Sequence, residues 1–376
     1  MEYIAKNIPL WQVTTWDKKF NNVDRSWQPK TIKYNYLLSD ELDEIRTDDG
    51  EVRILYTGKD IGYTTEKLAG DNLSEGEIVS IPWGGIPTVK YYKGKFVTGD
   101  NRIATSNDTS KLSNRYLYYF MKGHIHEIAS YYRGASLKHP CMKDVLKMEI
   151  SYPALEIQNM VCDQFDVLDA VIEQRSKELA LLDNLVKARF VEMFGDPVDN
   201  PMEWEKKQLQ EIVTEDCTIS YGIVQTGDDQ EEGVPVVRPV DIVNRIPKLE
   251  ELKKTTKEIS NKYKRTVLKG REMLITVRAN IADTCIIGEE FKGCNVGRGI
   301  VPIKTQEDII VLEFLKHLID NKHLNDNIKS KAKGITLIQL NMEDLREVEL
   351  IIPPIKIQKC FVEFSKEIDK SKFVYQ

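Results

Sequence analysis

The sequence predicts an α+β protein made of two domains of like fold separated by long helices, which can pack as an antiparallel pair. Three observations predict it. The chain repeats itself once at a gapless offset of 200 residues, a 4-3 apolar seam runs through the segment between the domains, and short β-branched and aromatic runs fill the rest. The first copy of the repeat begins Gly134-Ala135-Ser136-Leu137 and runs through Met142, Asp144, Glu149, Pro153, Ile157 and Gln158 to Asp169. The second begins Gly334-Ile335-Thr336-Leu337 and runs through Met342, Asp344, Glu349, Pro353, Ile357 and Gln358 to Asp369. Nine of 36 aligned positions are identical, where chance gives roughly two. Solenoid repeats span only about 20–50 residues, so this longer period means two domains of one kind, each followed by the same helix.

Taken in order, residues 1–153 read as the first domain, with strands over 77–81 and 95–97 broken by Gly, Asp and Asn. A helical patch over 114–121 has its counterpart at 311–319. Residues 154–196 form the first long helix, opened by Pro153, which suits a first helical turn. At about 1.5 Å per residue that helix is a spacer of about 60 Å. Its seam is Val161, Phe165, Leu168, Ile172, Arg175, Leu179, Leu182, Val186, Arg189 and Met193, eight of ten apolar, the spacing of a coiled coil. Gly195-Asp196-Pro197 stops it. Residues 197–352 form the second domain, with strands over 233–238, 272–277 and 299–303. Residues 353–376 form the second helix, with Ile357, Phe361, Phe364 and Ile368 at 4-3-4 spacing. Flanking apolar residues Val167, Val171, Leu181, Leu185, Phe190, Val191 and Phe194 exceed what one antiparallel partner covers, so additional protein is expected on the long helix.

At 376 residues the chain exceeds what one core supports, and its 41% hydrophobic and 30% charged residues are ordinary for a soluble protein. No apolar stretch reaches the length of a membrane span. Met1-Glu2-Tyr3-Ile4-Ala5-Lys6 lacks the pattern of a signal peptide, so a cytoplasmic location is expected. The six cysteines include no C-x-x-C pair and read as free thiols. Net charge is −6, but it is segregated. Eight basic residues and one acid, Glu258, lie between Lys253 and Arg271, with smaller clusters at Lys90-Tyr91-Tyr92-Lys93-Gly94-Lys95 and Lys329-Ser330-Lys331-Ala332-Lys333. Acid concentrates at 40–51 and 228–232. A clamp with basic inner faces fits this distribution, because affinity for nucleic-acid phosphate follows local positive charge.

Catalytic constellations are missing from the sequence. There is no G-x-x-x-x-G-K loop, and the glycines of 293–299 lead into a strand, as a turn would. Ile352-Pro353-Pro354-Ile355 is not the Asn/Asp-Pro-Pro-aromatic loop with which amino-methyltransferases grip a base. His124 and His126 fall on one side of a strand if that segment is extended, yet no further ligand accompanies them at metal-like spacing. Chemistry is therefore expected in another chain.

Binding candidates are easier to name. Lys253, Lys254, Lys257, Tyr263, Lys264 and Arg265 suit contact with a duplex backbone, or simply form a solvated face. Lys90, Tyr91, Tyr92, Lys93, Lys95, Lys331 and Lys333 carry the same pair of readings. Trp83 and the Arg278-Ala279-Asn280 tip follow strands at corresponding places of the two halves. Arg and Asn read guanine and adenine edges. Arg102 and Arg298 form a second matched pair, for which pinning a loop and touching DNA are equally good readings.

The run Leu181-Leu182-Asp183-Asn184-Leu185-Val186-Lys187-Ala188-Arg189-Phe190-Val191-Glu192-Met193-Phe194-Gly195-Asp196-Pro197 resembles the conserved central helix of type I restriction-modification DNA specificity subunits. Val277-Arg278-Ala279-Asn280, Asn295 to Ile300 and the Ile-Pro-Pro stretch with Gln358 add to the resemblance, which covers essentially the whole chain. It implies two target recognition domains, each reading half of a bipartite site in double-stranded DNA, held apart by an antiparallel coiled coil. It implies a non-catalytic subunit without its own cofactor, joined by two methyltransferase subunits that use S-adenosylmethionine and by restriction/translocase subunits. The alternative is a truncated or decoy scaffold that holds methyltransferase without reading DNA. One departure is the second helix, which stops at Gln376 without a copy of Leu181 to Gly195; the expectation is a shortened coiled coil with one weakened methyltransferase site.

Overall fold

Alternating apolar residues in the 77–81 stretch send Ile78 and Val79 to opposite faces of a strand, and each face finds its own core. Val79 and Ile81 pack with Leu117, Met121 and Trp16, whereas Ile78 packs with Leu55, Phe96 and Ile103. The computed structural model describes residues 7–17, 26–28, 30–58, 61–243, 246–334 and 338–375. The Ile335-Thr336-Leu337 part of the repeat and the Met1 to Lys6 segment lie outside the described residues. The chain divides into two units, Met1–Gln174 and Arg175–Gln376, with the division inside the helix Leu155–Phe194.

The first unit is built on a six-stranded sheet ordered Thr14–Trp16, Asn101–Ser106, Ser74–Pro82, Lys90–Thr98, Val52–Leu55, Ile61–Thr64. Only Val52–Leu55 and Lys90–Thr98 run parallel. Ser113 starts the helix Asn114–Gly123 by accepting the Tyr116 amide, and Leu117 and Met121 of that helix are buried on the sheet. The second unit has two three-stranded sheets, one centred on Val234–Val237 and one on Glu272–Thr276. Every residue of Glu272–Thr276 is buried, since Met273 and Ile275 enter one core and Leu274 another. Helix Leu312–Asp320 buries Leu312, Phe314, Leu315, Leu318 and Ile319.

The two units share a central triplet. Ser74–Pro82 pairs antiparallel with Asn101–Ser106 and Lys90–Thr98, and Glu272–Thr276 pairs antiparallel with Ile300–Ile303 and Thr284–Ile287. The repeat follows as short helices Met142–Val145 and Met342–Arg346, then strands Glu149–Ile150 and Glu349–Ile351, then the helices Leu155–Phe194 and Ile355–Tyr375. Two buried glutamines clamp each helix start to its domain. Gln158 accepts the Ser113 amide at 3.0 Å and donates to the Lys111 and Pro153 carbonyls. Gln358 accepts the Val311 amide at 2.9 Å and donates to the Ile309 and Pro353 carbonyls. The same three backbone places are satisfied by the same side chain in each half, which explains why this glutamine recurs.

The long helix stops where its chemistry predicts. Gly195 has φ +73°, and a Cβ there would lie 2.6 Å from Pro201 Cγ. Trp204 donates its indole N–H to the Phe194 carbonyl at 3.1 Å, supplying a partner that the last turn lacks. Within the second unit the end of this helix runs antiparallel to Ile355–Tyr375. Phe361 meets Phe190 and Phe194 with ring centroids 5.5 Å apart, while Lys372, further along, pairs with Asp183 at 2.6 Å. Phe190 and Phe194, expected on a partner-facing surface, instead belong to this unit's core with Phe314 and Phe361.

Burial along the seam is uneven. Val186 is buried and Val161, Leu179, Leu182 and Met193 are half-buried, but Phe165, Leu168 and Ile172 are exposed by 42%, 53% and 63%. In the first unit Phe165 stacks on Tyr119 at 5.0 Å, and Arg115 of the Asn114–Gly123 helix pairs with Asp163 at 2.8 Å and with Asp166. Phe361 is fully buried, and Ile357, Phe364 and Ile368 pack against its core.

Candidate nucleic-acid interface

The basic residues fall into two kinds: those answered by an acid or carbonyl, and those that are not. In the first unit, antiparallel register sets Lys93 across from Glu77 and Lys95 across from Glu75. Lys93 pairs with Glu77 at 3.6 Å, Lys95 with Glu66, and Tyr91 donates to Glu77 at 2.8 Å. Burial and that carboxylate push the Tyr91 phenol upward, so it stays protonated. Lys90 reaches the Tyr56 and Gly58 carbonyls, and Tyr92 packs edge-on against Phe96. Lys93 and Lys95 are thus answered by acids of the neighbouring strand and helix, and Lys90 by carbonyls.

In the second unit, Lys253 and Lys254 donate to the Gly227 and Glu231 carbonyls at 2.9 Å, tying down the acidic loop. Lys269 pairs with Asp216, whose carboxyl it holds down to about 2, and Arg271 pairs with Glu307 and Glu313. Lys257, Lys264 and Arg265 are exposed on the helix Lys257–Lys262 and the turn after it, and no ion pair reaches them among the described residues. Tyr263 is half-buried, with its carbonyl accepting from Asn295 and Thr266. Lys333 is exposed, 3.8 Å from Asp344, and Lys331 is half-buried.

The strand-end tips are the clearest gathering. In the first unit the Arg102 guanidinium lies 4.0 Å from the Trp83 ring centroid, 3.2 Å from Asp100 and 3.8 Å from Asp17, and Arg102 is only 2% exposed. His139 packs on Trp83 at 5.1 Å and bonds its carbonyl at 2.7 Å. In the second unit Arg278 donates to the Gln339 side chain, and Arg298 sits beside them. Asn280 is exposed; its carbonyl accepts from Thr276, and Ala279 and Ala282 take left-handed φ of +61° and +63°. His139 and Gln339 stand one repeat apart. Each is bridged to a residue also one repeat apart, Arg133 and Lys333. Sequence reasoning missed both, although the offset of the repeat pointed at them.

The two histidines expected on one side of a strand are placed otherwise. His124 ends the helix Asn114–Gly123 and His126 lies in the helix Ile125–Ser130, so the extended segment expected there is helical. Asp196, Asp199 and His323 come together at the stop of the long helix. There Asp196 accepts the Val198 and Asp199 amides and the His323 imidazole, at 2.8, 3.1 and 2.9 Å.

Two segments, 32–182 and 201–373, match the sequence profile of the type I restriction modification DNA specificity domain. The chain belongs to that family. One match falls on each half of the repeat, so the duplication is of this specificity domain. The type I restriction enzyme EcoBI specificity subunit of Escherichia coli is 23% identical over 271 residues, covering 66% of this chain and 57% of that protein's length. The crystal structure of the type I restriction-modification system S subunit from M. genitalium shares the fold. Its TM-score is 0.57 at 14% identity, over 98% of this chain and 90% of that one. In this specificity-domain chain no helix among the described residues is long and apolar enough to cross a membrane.

Proposed function

We propose that this chain is the DNA-reading specificity subunit of a type I restriction-modification complex, and that it recognises a bipartite target in double-stranded DNA. The observation that carries this reading is the doubled specificity domain, present twice with the same strand triplet and the same glutamine clamp. In this reading residues 1–153 and 197–352 are the target recognition domains, and 154–196 and 353–376 are the conserved helices between and after them. Two methyltransferase subunits, carrying S-adenosylmethionine, dock on the helices, and restriction/translocase subunits join them. The exposed apolar residues Val167, Val171, Leu181, Leu185 and Val191, 46–66% exposed, support protein docking there.

Sequencing of methylated adenines in DNA from cells that carry the chain tests the proposal. A split motif of two short half-sites is expected. A single continuous motif defeats the two-reader arrangement, and binding of the assembled complex without sequence preference leaves only a scaffold.

A further inference from the structure

The Glu272–Thr276 strand and the Ile300–Ile303 strand pair antiparallel with Thr276 opposite Ile300. The ladder continues through the Val277 amide, which donates to the Gly299 carbonyl at 2.8 Å. One residue beyond these, Arg278 and Arg298 come side by side, with Arg298 in the turn ahead of its strand. Like charges side by side repel, so the fold tolerates this pair without gaining from it. Gly299 permits the approach: a Cβ there would lie 2.5 Å from Pro239 Cγ and 3.5 Å from Arg278 Cβ.

Neither guanidinium has a carboxylate partner among the described residues. Arg278 is held by the neutral Gln339 side chain, and Arg298 Nε is buried with no acceptor. Burial and then the charge of Arg298 hold the Arg278 guanidinium below its usual pKa. A buried donor without a partner is uncommon in a native fold, and at Arg298 it comes together with the lack, among the described residues, of any carboxylate beside either guanidinium. In the first unit Arg102 also has a buried Nε without an acceptor, but its guanidinium is paired with the Asp17 and Asp100 carboxylates and lies over the face of Trp83.

We propose that Arg278 and Arg298 clamp one phosphodiester group of the DNA bound by the second unit, with Gln339 as the positioning residue for Arg278. The inference rests on the DNA-reading function proposed above and names the chemical group that this site takes. Two repelling cations gain most from a full negative charge placed between them. A neutral guanine edge is satisfied by one arginine and leaves the second unanswered.

The test uses the complex assembled with its methyltransferase subunits, duplexes carrying the methylated motif and scrambled duplexes, over a series of salt concentrations. For R278M and R298M, binding should fall about tenfold at low salt on both duplexes, and the slope of log K against log salt should shrink by about 0.9, one phosphate's share. R298K should keep that slope, and the methylated motif should stay unchanged in all three. Among duplexes carrying a neutral methylphosphonate at successive positions of the second half-site, one position should weaken the unaltered complex without weakening the R278M/R298M double variant, while every other position affects both alike. A changed base preference with an unchanged slope makes these residues base readers and overturns the clamp. Unchanged binding by variants with unaltered melting overturns it as well. If the unaltered complex shows no sequence preference, the specificity-subunit reading fails, and the slope on plain duplex still decides the clamp.

Discussion

Arg102 and Arg298, which the sequence alone sets side by side as a pair, live in opposite electrostatic worlds. Arg102 lies inside its strand, 2% exposed, wedged between Trp83 and two carboxylates. Arg298 lies in the turn just ahead of its strand, half-buried, beside Arg278. The difference teaches that a recurring residue type does not carry a recurring role. In the first unit the arginine is paired with the Asp17 and Asp100 carboxylates; in the second it has no carboxylate among the described residues.

The largest expected effect tests that contrast directly. Arg102→Met removes a cationic partner of the buried Asp17 carboxylate, which keeps the Ile103 amide, and should cost about 3–5 kcal/mol, while Arg298→Met should change stability by less than about 0.5 kcal/mol. Urea unfolding resolves the two, because four of the five tryptophans (Trp11, Trp16, Trp27, Trp83) lie in the first unit and Trp204 in the second. Equal costs would mean that both arginines are structural.

The glutamine clamps predict likeness in place of contrast. Gln158→Ala and Gln358→Ala each orphan one amide and two carbonyls, and each should lower stability by about 2–4 kcal/mol. Markedly different losses, read by thermal unfolding, would show that the two helix starts are not equivalent.

A smaller effect belongs to the second unit alone. His317 lies between the helices Leu312–Asp320 and Ile355–Tyr375, bonded to Ser365 at 3.0 Å and edge-on to Phe361 at 5.1 Å, with Lys316, Asp320, Asp369 and Lys372 as charged neighbours. Burial, with help from Lys316, lowers its pKa from 6.5 to about 4. The unfolded chain therefore takes up this proton before the folded one does. Stability is intact above pH 6.5 and falls as pH drops toward about 4, by at most about 2–3 kcal/mol. His317→Gln should remove that portion of the acid sensitivity. If the variant and the unaltered chain lose stability in parallel from pH 6.5 to 4, the buried-imidazole account fails. The smallest effect is expected at the Lys372–Asp183 pair, where Lys372→Met should cost less than about 1 kcal/mol because Asp183 is largely exposed. A larger loss would show that this contact governs the antiparallel pairing of the helices.

Much of this was legible beforehand. The 4-3 spacing from Val161 to Met193 and the Gly195-Asp196-Pro197 stop are local signals, and the helix runs Leu155–Phe194. The recurrence of Gln158 and Gln358 was visible as identity, but its reason required the carbonyls of Lys111 and Ile309, more than forty residues away in sequence. The Lys90 to Lys95 cluster reads as a basic patch along the chain, because the neutralising Glu66, Glu75 and Glu77 sit on other elements. Phe190 and Phe194 read as spare apolar surface because periodicity reports that a face is apolar and not what covers it.

By itself the sequence determined the duplication, the long helix and its stop, the lack of a familiar catalytic motif and the family. These rest on short-range periodicity and on identity between two copies, which need no knowledge of distant contacts. Only the tertiary structure decided which charges are answered. Electrostatic partners are set by cross-strand register and by segments far apart in the chain, so Arg102 and Arg298 look alike in the sequence and differ once the strands are aligned.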